Sequence, residues 1–485
     1  MTDILQLEPR KVFQRFAQIN AVPRGSGNEQ AIGRLLVEIG RSMGLETLQD
    51  QAGNVVIRKP AAPGYEERPG VTLQGHMDMV CEKDEDSTHD FLRDGIDMIV
   101  DNGWICANKT TLGADDGIGV AMALALLEEE MPHPALDVLV TTSEETGMDG
   151  AIGLAPSFIR TPYLINIDSE EEGYLTVGCA GGSTGRIELD MEREAAPAPD
   201  RVVYQLRIDR MRGGHSGMEI LEVRTSALKT MAEFLHMLDE EIAFSLTDFH
   251  SGTKHNAIPN AATAVISCST AREAALLDAM ERVKAVLIDK LFRAEPDVRF
   301  SWDRVTSERS ALTESAKKKL ISCLELLPHG VYSMMPQEKM VEASDNLASA
   351  HTEDAILRIL MSLRSGNEEK LEELQRKIAH IVETFDGRCV FSEGYPAWEY
   401  REESALRELF CKKYREQAGR DPEILVIHAG LECGLFARTH PGVDMVSFGP
   451  DVHGAHTTKE RLSIESVQRS YELLKSVVCA LGEDE

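Results

Sequence analysis

VTLQGHMDMV, running from Val71 to Val80, is the stretch on which the reading of the fold turns. Val71, Thr72 and Leu73 read as the end of a buried strand, and Gly75 clears space just before His76 and Asp78. Residues two apart in extended backbone point to the same side, so His76 and Asp78 face one pocket from the mouth of the strand. A carboxylate two positions after a histidine suits a metal ligand held in tautomer and orientation by its neighbour. A lone His-x-Asp is more often a strand end carrying two solvated polar groups, and four later stretches change that balance.

TTLGADDGIGVAMALALLEEE places Asp115 and Asp116 before a run, Ile118 to Leu127, that is apolar almost all round a helix, as a helix buried between layers is. One of the two aspartates is expected to cap this helix, leaving the other for a ligand role. In ALDVLVTTSEETGMDG a short buried strand breaks at Ser143, Glu144 and Glu145 and is followed by Gly147 and Gly150. YLINIDSEEEG sets Asp168 at the end of another strand, and GPDVHGAH adds His453 and His456 near the C-terminus. Helices and apolar strands alternate up to about Val177, and each strand delivers an acid or a histidine as it ends. Open α/β sheets bind ligands outside those ends.

Upstream, apolar residues at helical spacing predict two opening helices, around Val12 to Ala17 and Ala31 to Ile39, then a β-hairpin turning at Ala52, Gly53 and Asn54. The polar residues from Glu82 to Asp90 and beyond read as a long loop. After Gly181 the texture changes. RIELDMEREAAPAPDR has the character of a boundary, and Val202, Tyr204, Leu206 and Ile208 alternate as in a half-buried antiparallel strand. The middle third reads as a separate α+β domain, with two sub-lobes and internal repetition left open by inspection. From Gly394 the chain turns helical at YPAWEYREESALRELFCKKYREQAG, then resumes alternation, which returns the tail to the first domain. The expected division is residues 1–181 and 394–485 for the first domain and 182–393 for the inserted one.

A chain of 485 residues exceeds one typical core, in keeping with two or three domains. Its 51 Lys and Arg against 81 Asp and Glu give a formal charge of −30, which repels phosphate and argues against nucleic acid or an anionic membrane as partner. Nine scattered cysteines with no C-x-x-C pair exclude a disulfide framework or a cysteine metal knot and fit a reducing cytosol. The opening MTDILQLEPRKVFQRF has no apolar signal core, and no run of about 18 uncharged apolar residues occurs. A cytoplasmic protein is expected.

The candidate ligands, in order, are His76, Asp115, Glu145, Asp168 and His456, with Asp78 and Glu144 beside two of them. Oxygen and imidazole donors without thiolates suit Zn²⁺, Co²⁺ or Mn²⁺, and carboxylates crowded into one pocket need cations to hold them together. Two divalent ions sharing one carboxylate would do so. GHMDMV, TTLGADDGIG, TSEETGMDGA, INIDSEEEG, GCAGG, GGHSG, NAIP, IHAGLECGLF and GPDVHGAH, in this order, resemble the bacterial Xaa-His (aminoacyl-histidine) dipeptidases, a branch of the di-zinc aminopeptidase and carboxypeptidase superfamily. The resemblance covers nearly the whole chain, and so many ordered matches are far more specific than any one of them.

The resemblance implies an α/β fold in which a zinc-exopeptidase-like catalytic domain, with a mixed central sheet flanked by helices, is interrupted by an α+β lid and dimerisation domain. It implies that Asp115 bridges two zinc ions, that His76 and Asp168 hold one and that Glu145 and His456 hold the other. Glu144 would be the general base, and Asp78 would orient His76. A water shared by two metals would be acidified, lose its proton to Glu144 and attack the peptide carbonyl, after which Glu144 protonates the leaving amine. His215 in RGGHSG resembles the histidine that reaches from a dimer partner's lid to stabilise the oxyanion. Arg364 resembles the lid arginine that grips a substrate carboxylate, and Asn256 in NAIP is carried over as a substrate-binding residue. Glu432 in HAGLECG is placed near the substrate's free amine, with Cys433 beside it in the core.

Two positions depart from the pattern. Asp116 stands where related sequences often have Asn, and GPDVHGAH offers His453 as well as His456, of which the second is favoured. The expected function is hydrolysis of dipeptides with free termini, such as Xaa-His and β-alanyl-histidine (carnosine), by a homodimer joined through the lid. An amidohydrolase of N-acyl amino acids, an exopeptidase for longer peptides and a non-catalytic binding protein are the alternatives on the same fold.

Overall fold

The β-branched and apolar runs of the sequence become the strands of two compact units in a computed structural model that describes residues 4–194, 200–217, 219–222, 224–335, 340–392 and 394–482. The first unit holds the chain up to Cys179, Trp398–Val426 and everything from Leu431 on. Its strands Glu46–Gln49 (β1), Val55–Lys59 (β2), Val71–His76 (β3), Leu136–Thr141 (β4), Tyr163–Asn166 (β5) and Tyr174–Cys179 (β6) join Asp444–Ser447 and Glu423–Ile427 in one eight-stranded sheet. The order is β1, β2, β4, β3, β5, Asp444–Ser447, β6, Glu423–Ile427. The four strands from β4 to Asp444–Ser447 run parallel, so their carboxyl ends share one edge, while β1 and β2 pair antiparallel beside them.

Helices Arg10–Asn20 (α1), Gln30–Ser42 (α2) and Ala114–Leu127 (α3) belong to this unit, and α3 packs against both α1 and β3. Every residue of α3 from Asp116 to Leu127 is buried, as its all-round apolar sequence predicts. Each Leu, Ile, Met or Val so enclosed contributes roughly 1.5–3 kcal/mol of hydrophobic stabilisation. Two expectations change here. The long polar loop contains Met98–Asp101 and Trp104–Ala107, which pair with each other and, through Arg461–Ser463, form a small four-stranded sheet with Val452–His453. The helical reading from Gly394 holds only for Ala405–Ala418, whose start is fixed by Ser404 accepting the Arg407 N–H.

The second unit is Ala180–Ala397 with Ile427–Gly430. Its strands are Gly181–Asp190 (β7), Arg201–Asp209 (β8), Ser245–Ser251 (β9), Ala262–Ser269 (β10), Arg299–Val305 (β11), Val341–Glu353 (β12), Ile356–Ser365 (β13) and Arg388–Phe391 (β14), and its longer helices are Ala227–Glu241 (α4), Glu273–Leu291 (α5), Glu314–Leu326 (α6) and Glu368–Thr384 (α7). The antiparallel sheet runs β11, β8, β10, β9, β12, β13, β7, β14, with Gly330–Met334 added beside β12. This order resolves the question of repetition. The set β8-α4-β9-β10-α5-β11 is a βαββαβ half with spatial order 4-1-3-2, and β7-α6-β12-β13-α7-β14 is a second such half with the first inserted after its opening strand. The halves meet edge to edge at a seam of His250 opposite His351 and Ser251 opposite Ala350. The Ala/Pro-rich run at 195–199 lies outside the described residues.

Candidate active site and metal centre

In the first unit, parallel register sets His76 of β3 beside Thr141 of β4, and Gln74 beside Asn166 of β5. The segments that leave β4 and β5 therefore carry Glu144, Glu145 and Asp168 to the edge where His76 ends its own strand. Asp115 Oδ1 lies 3.1 Å from His76 Nε2, and Asp115 Oδ2 lies 3.0 Å from His456 Nε2. Asp168 Oδ1 is 3.3 Å from His76 Nε2, and Glu145 Oε2 is 3.0 Å from His456 Nε2. Asp115 thus turns one oxygen toward each histidine, and a second carboxylate stands beside each. Donor atoms from His76, Asp115 and Asp168 lie within 4.8 Å of one another, as do those of Asp115, Glu145 and His456, and those of His76, Glu144 and Glu145.

The cluster is built for positive charge. Hydrogen bonds that Asp115 and Glu145 accept from it push the His456 imidazole up to about 11. Burial opposes the Asp115 carboxylate, yet His456 and His76 together hold it well below the usual range. Burial raises Asp168 to about 6. Glu145 Oε1 is buried with no hydrogen-bond partner among the described residues. Oxygen and imidazole donors in this arrangement, with no thiolate, fit divalent ions of the zinc, cobalt and manganese type.

Asp78 does more than orient a ring. Its Oδ1 is 3.4 Å from His76 Nδ1 and accepts the Glu144 N–H at 3.1 Å, while Oδ2 accepts Ser26 Oγ–H at 2.7 Å and the Glu145 N–H at 3.3 Å. Burial opposes its charge, but these partners, His76 foremost, hold the carboxyl at about 2. One buried carboxylate therefore fixes both the His76 ring and the turn that presents Glu144 and Glu145. That turn begins at Ser143, whose φ is +54° and whose hydroxyl donates to Glu29 Oε1 at 3.0 Å. Ser26 and Glu29 went unread in the sequence, where RGSGNE is only a turn-like run. Burial also raises Glu144 well above the ordinary carboxylate range.

Asp116 does not cap α3, contrary to one expectation. Its Oδ2 accepts the His76 N–H at 3.2 Å, and Cβ atoms at Gly75 and Gly119 would come within 2.0 and 2.2 Å of its oxygens. Burial drives this carboxyl toward its neutral form, which an Asn would imitate. The N–H groups at the start of α3 are accepted instead by Glu460. His453 belongs to none of these groups of donors, and its ring lies against Trp104, with centroids 5.0 Å apart.

Glu432 is wholly buried. Its Oε2 accepts from Gln74 Nε2 at 2.6 Å and Thr141 Oγ1 at 2.8 Å; Gln74 Oε1 accepts from Asn166 Nδ2 at 2.7 Å, and Asn166 Oδ1 from Ser447 Oγ at 2.5 Å. This hydrogen-bonded chain crosses four adjacent parallel strands near their carboxyl ends. Glu432 apart, the sequence shows its members only as isolated polar residues at or near the ends of apolar strands.

A profile of Peptidase family M20/M25/M40 matches residues 72–480. The chain is 36% identical over 480 residues to the cytosol non-specific dipeptidase of Escherichia coli strain K12, across 99% of each. The chain belongs to this peptidase family. It matches the crystal structure of aminoacylhistidine dipeptidase from Vibrio alginolyticus with a TM-score of 0.92 and 34% identity, over 99% of this chain and 98% of that one. A tripeptidase from Staphylococcus aureus, at 17% identity and a TM-score of 0.56 over 98% of this chain and 99% of that one, shares the fold. As an M20 peptidase the chain is a hydrolase acting on peptide bonds.

The second unit of this M20 peptidase gathers the other three carried-over residues. Gly214–His215 pairs with Ala257–Ile258, and the Asn256 carbonyl accepts the Ser216 N–H at 2.9 Å, so His215 and Asn256 lie on neighbouring segments. Gly217 separates His215 from Arg364, since a Cβ there would stand 3.1 Å from His215 Cε1 and 3.2 Å from Arg364 Nε. The Gly217 N–H donates to His215 Nδ1 at 3.2 Å, which leaves the ring proton on Nε2 as a donor. Burial, with Arg364 nearby, lowers the His215 pKa and keeps the ring neutral. Arg364 Nη1 donates to the Tyr395 hydroxyl at 2.9 Å, while its buried Nε has no partner among the described residues. Tyr395 had no signal in the sequence beyond its place near a boundary.

Proposed function

We propose that this M20 peptidase is a metal-dependent dipeptidase acting on short peptides with both termini free, Xaa-His and β-alanyl-histidine among them. The observation that carries the proposal is Asp115, whose two oxygens each face a different histidine nitrogen, at 3.1 and 3.0 Å, about the spacing of two donors on one ion. His76, Asp115 and Asp168 would hold one Zn²⁺, and Asp115, Glu145 and His456 a second, with Co²⁺ or Mn²⁺ as substitutes. Bound there, the ions would polarise the scissile carbonyl and acidify the attacking water. Glu144 takes that water's proton and gives it to the amine nitrogen as the C–N bond breaks, so one water is consumed and two amino acids leave. His215 offers its Nε2–H to the carbonyl oxygen as negative charge gathers there. Arg364 and Asn256 bind the carboxyl-terminal side of the substrate, the guanidinium as a fork matched to a carboxylate. Glu432 is the residue assigned to the substrate's free amine: burial pushes its carboxyl up to about 8, and an arriving ammonium would draw it into its charged form.

The protein is proposed to work in the cytosol, as the name of its Escherichia coli relative states for that enzyme. No helix among the described residues is long and apolar enough to cross a membrane. It is proposed to pair with a second copy through the lid, here the second unit. Exposed Val286 and Ile288 on α5 and Phe292 just after it, on a helix whose Lys284 lies over Trp302 of the edge strand β11, support that pairing.

The deciding assay presents free dipeptides, the same dipeptides acetylated at the amine, tripeptides and N-acyl amino acids, before and after chelation. Hydrolysis confined to free dipeptides and abolished by chelation is expected. Equal turnover of acetylated substrates would move the chain to the amidohydrolases, and full activity after exhaustive chelation would remove the metal from the mechanism.

A further inference from the structure

The loop that delivers Asp115 is gripped from two sides by buried charges. Glu460 Oε2 accepts the N–H groups of Leu112 and Gly113 at 2.6 and 3.0 Å, and Oε1 those of Ala114 and Asp115 at 2.7 and 3.4 Å. From the other side, Arg24 Nη2 donates to the Gly113 carbonyl and, at 3.0 Å, to Asn20 Oδ1. The same guanidinium reaches the turn after β3, where Nη1 donates to the carbonyls of Met77 at 3.1 Å and Asp78 at 2.8 Å. Arg24 and Glu460 are 1% and 2% exposed. Gly113 holds φ at +68°, and a Cβ at Gly113 or at Gly117 would come within 2.5 Å of Arg24 Nη2.

A helix start needs only a serine or aspartate to satisfy its N–H groups, and two buried charges carry a heavy desolvation cost for that task alone. What they do beyond capping is join two segments. One guanidinium spans the backbone just after His76 and the backbone just before Asp115, and one carboxylate locks the second of these. We propose that Arg24 and Glu460 are positioning residues that set the separation of His76 from Asp115, and with it the affinity and geometry of the site for divalent metal. This rests on the metal-dependent reading above.

The test uses the full chain stripped by chelator and titrated with Co²⁺, followed by calorimetry and by the visible absorption of the bound ion, beside melting curves and steady-state kinetics. Glu460→Gln, which keeps one acceptor oxygen and sets an NH₂ against N–H groups, and Arg24→Lys, which keeps the charge but loses the fork, are the variants. Each is expected to bind Co²⁺ roughly 10- to 100-fold more weakly, with altered absorption bands and a lowered kcat at little-changed KM, the effect usual for an outer partner of a metal site. A folded variant with parental Co²⁺ affinity and spectrum overturns the inference, even if it melts earlier, because capping alone would then be its role. Should both fail to fold, Asn20→Ala, which removes one support of Arg24 without removing a charge, takes the same readouts and is judged by the same criterion. Failure of the parent itself to bind Co²⁺ would instead overturn the metal-dependent reading.

Discussion

At the scale of single residues, Asp78 and Glu144 divide the work of the site. Asp78 accepts both backbone N–H groups of the Glu144–Glu145 turn, so the turn is held by hydrogen bonds independent of the Glu144 side chain. Glu144→Gln should therefore leave the fold and metal content intact while kcat falls by roughly 10²–10⁴, because an amide cannot accept the water's proton. Elemental analysis beside kinetics checks this, and near-parental kcat in a metal-replete variant would place the base elsewhere. The clustered residues were legible because His76, Glu145 and Asp168 follow apolar strands that end in an acid or a histidine, and Asp115 stands just before the apolar run of α3. Glu460 was not, because it sits in the polar run TTKER and its partners lie near Asp115, at the far end of the sequence. Spacing carries no information across such a gap. Asp116 looked like a cap for the same reason: the true cap is remote.

Among elements, the parallel strands β3, β4 and β5 announce themselves, since their apolar residues run together and stop at turn residues. The hairpin of β12 and β13 does not. VEASDNLASAHTE is buried at nearly every position yet carries Ser344, Asp345 and Asn346 inside, so neither alternation nor apolar content marks it as a strand. Its neighbour His329 supplies a test of the burial. Nδ1 of His329 accepts the Leu347 N–H at 3.1 Å, and burial, with Lys229 nearby, lowers its pKa to about 4. The unfolded chain takes up this proton below about 6.5 and the folded chain only below about 4. Between those values the unfolded state binds more protons, so the stability due to neutral His329 is whole above about pH 6.5 and is lost as the pH falls toward 4. The parent should thus lose up to about 3 kcal/mol of its advantage over His329→Asn across that window in urea titrations. A difference that does not change with pH would mean that the imidazole titrates freely.

For the whole molecule, the nested halves of the second unit bear on which chain completes which site. His215 and Arg364 flank Gly217 within one unit, so whichever chain supplies one of them to a substrate supplies the other. Mixing inactive His215→Ala and Arg364→Ala chains should restore no activity, while each mixed with Glu144→Gln should give the same outcome as the other. Rescue in the first mixture, or opposite outcomes in the second pair, would separate the two residues, and a tagged-subunit control must show that mixed dimers form. The insertion of the second unit between Asp168 and His456 also sets a clock during synthesis. A ribosome adding roughly 5–20 residues per second needs on the order of 15–60 s to travel from the one residue to the other. For that interval the nascent chain already carries four of the five proposed ligands and the proposed base, while His456 and the carboxylate of Glu460 do not yet exist. With the proposed ligand set, capture of the full complement of metal, and with it peptidase activity, would be withheld until the chain is all but finished.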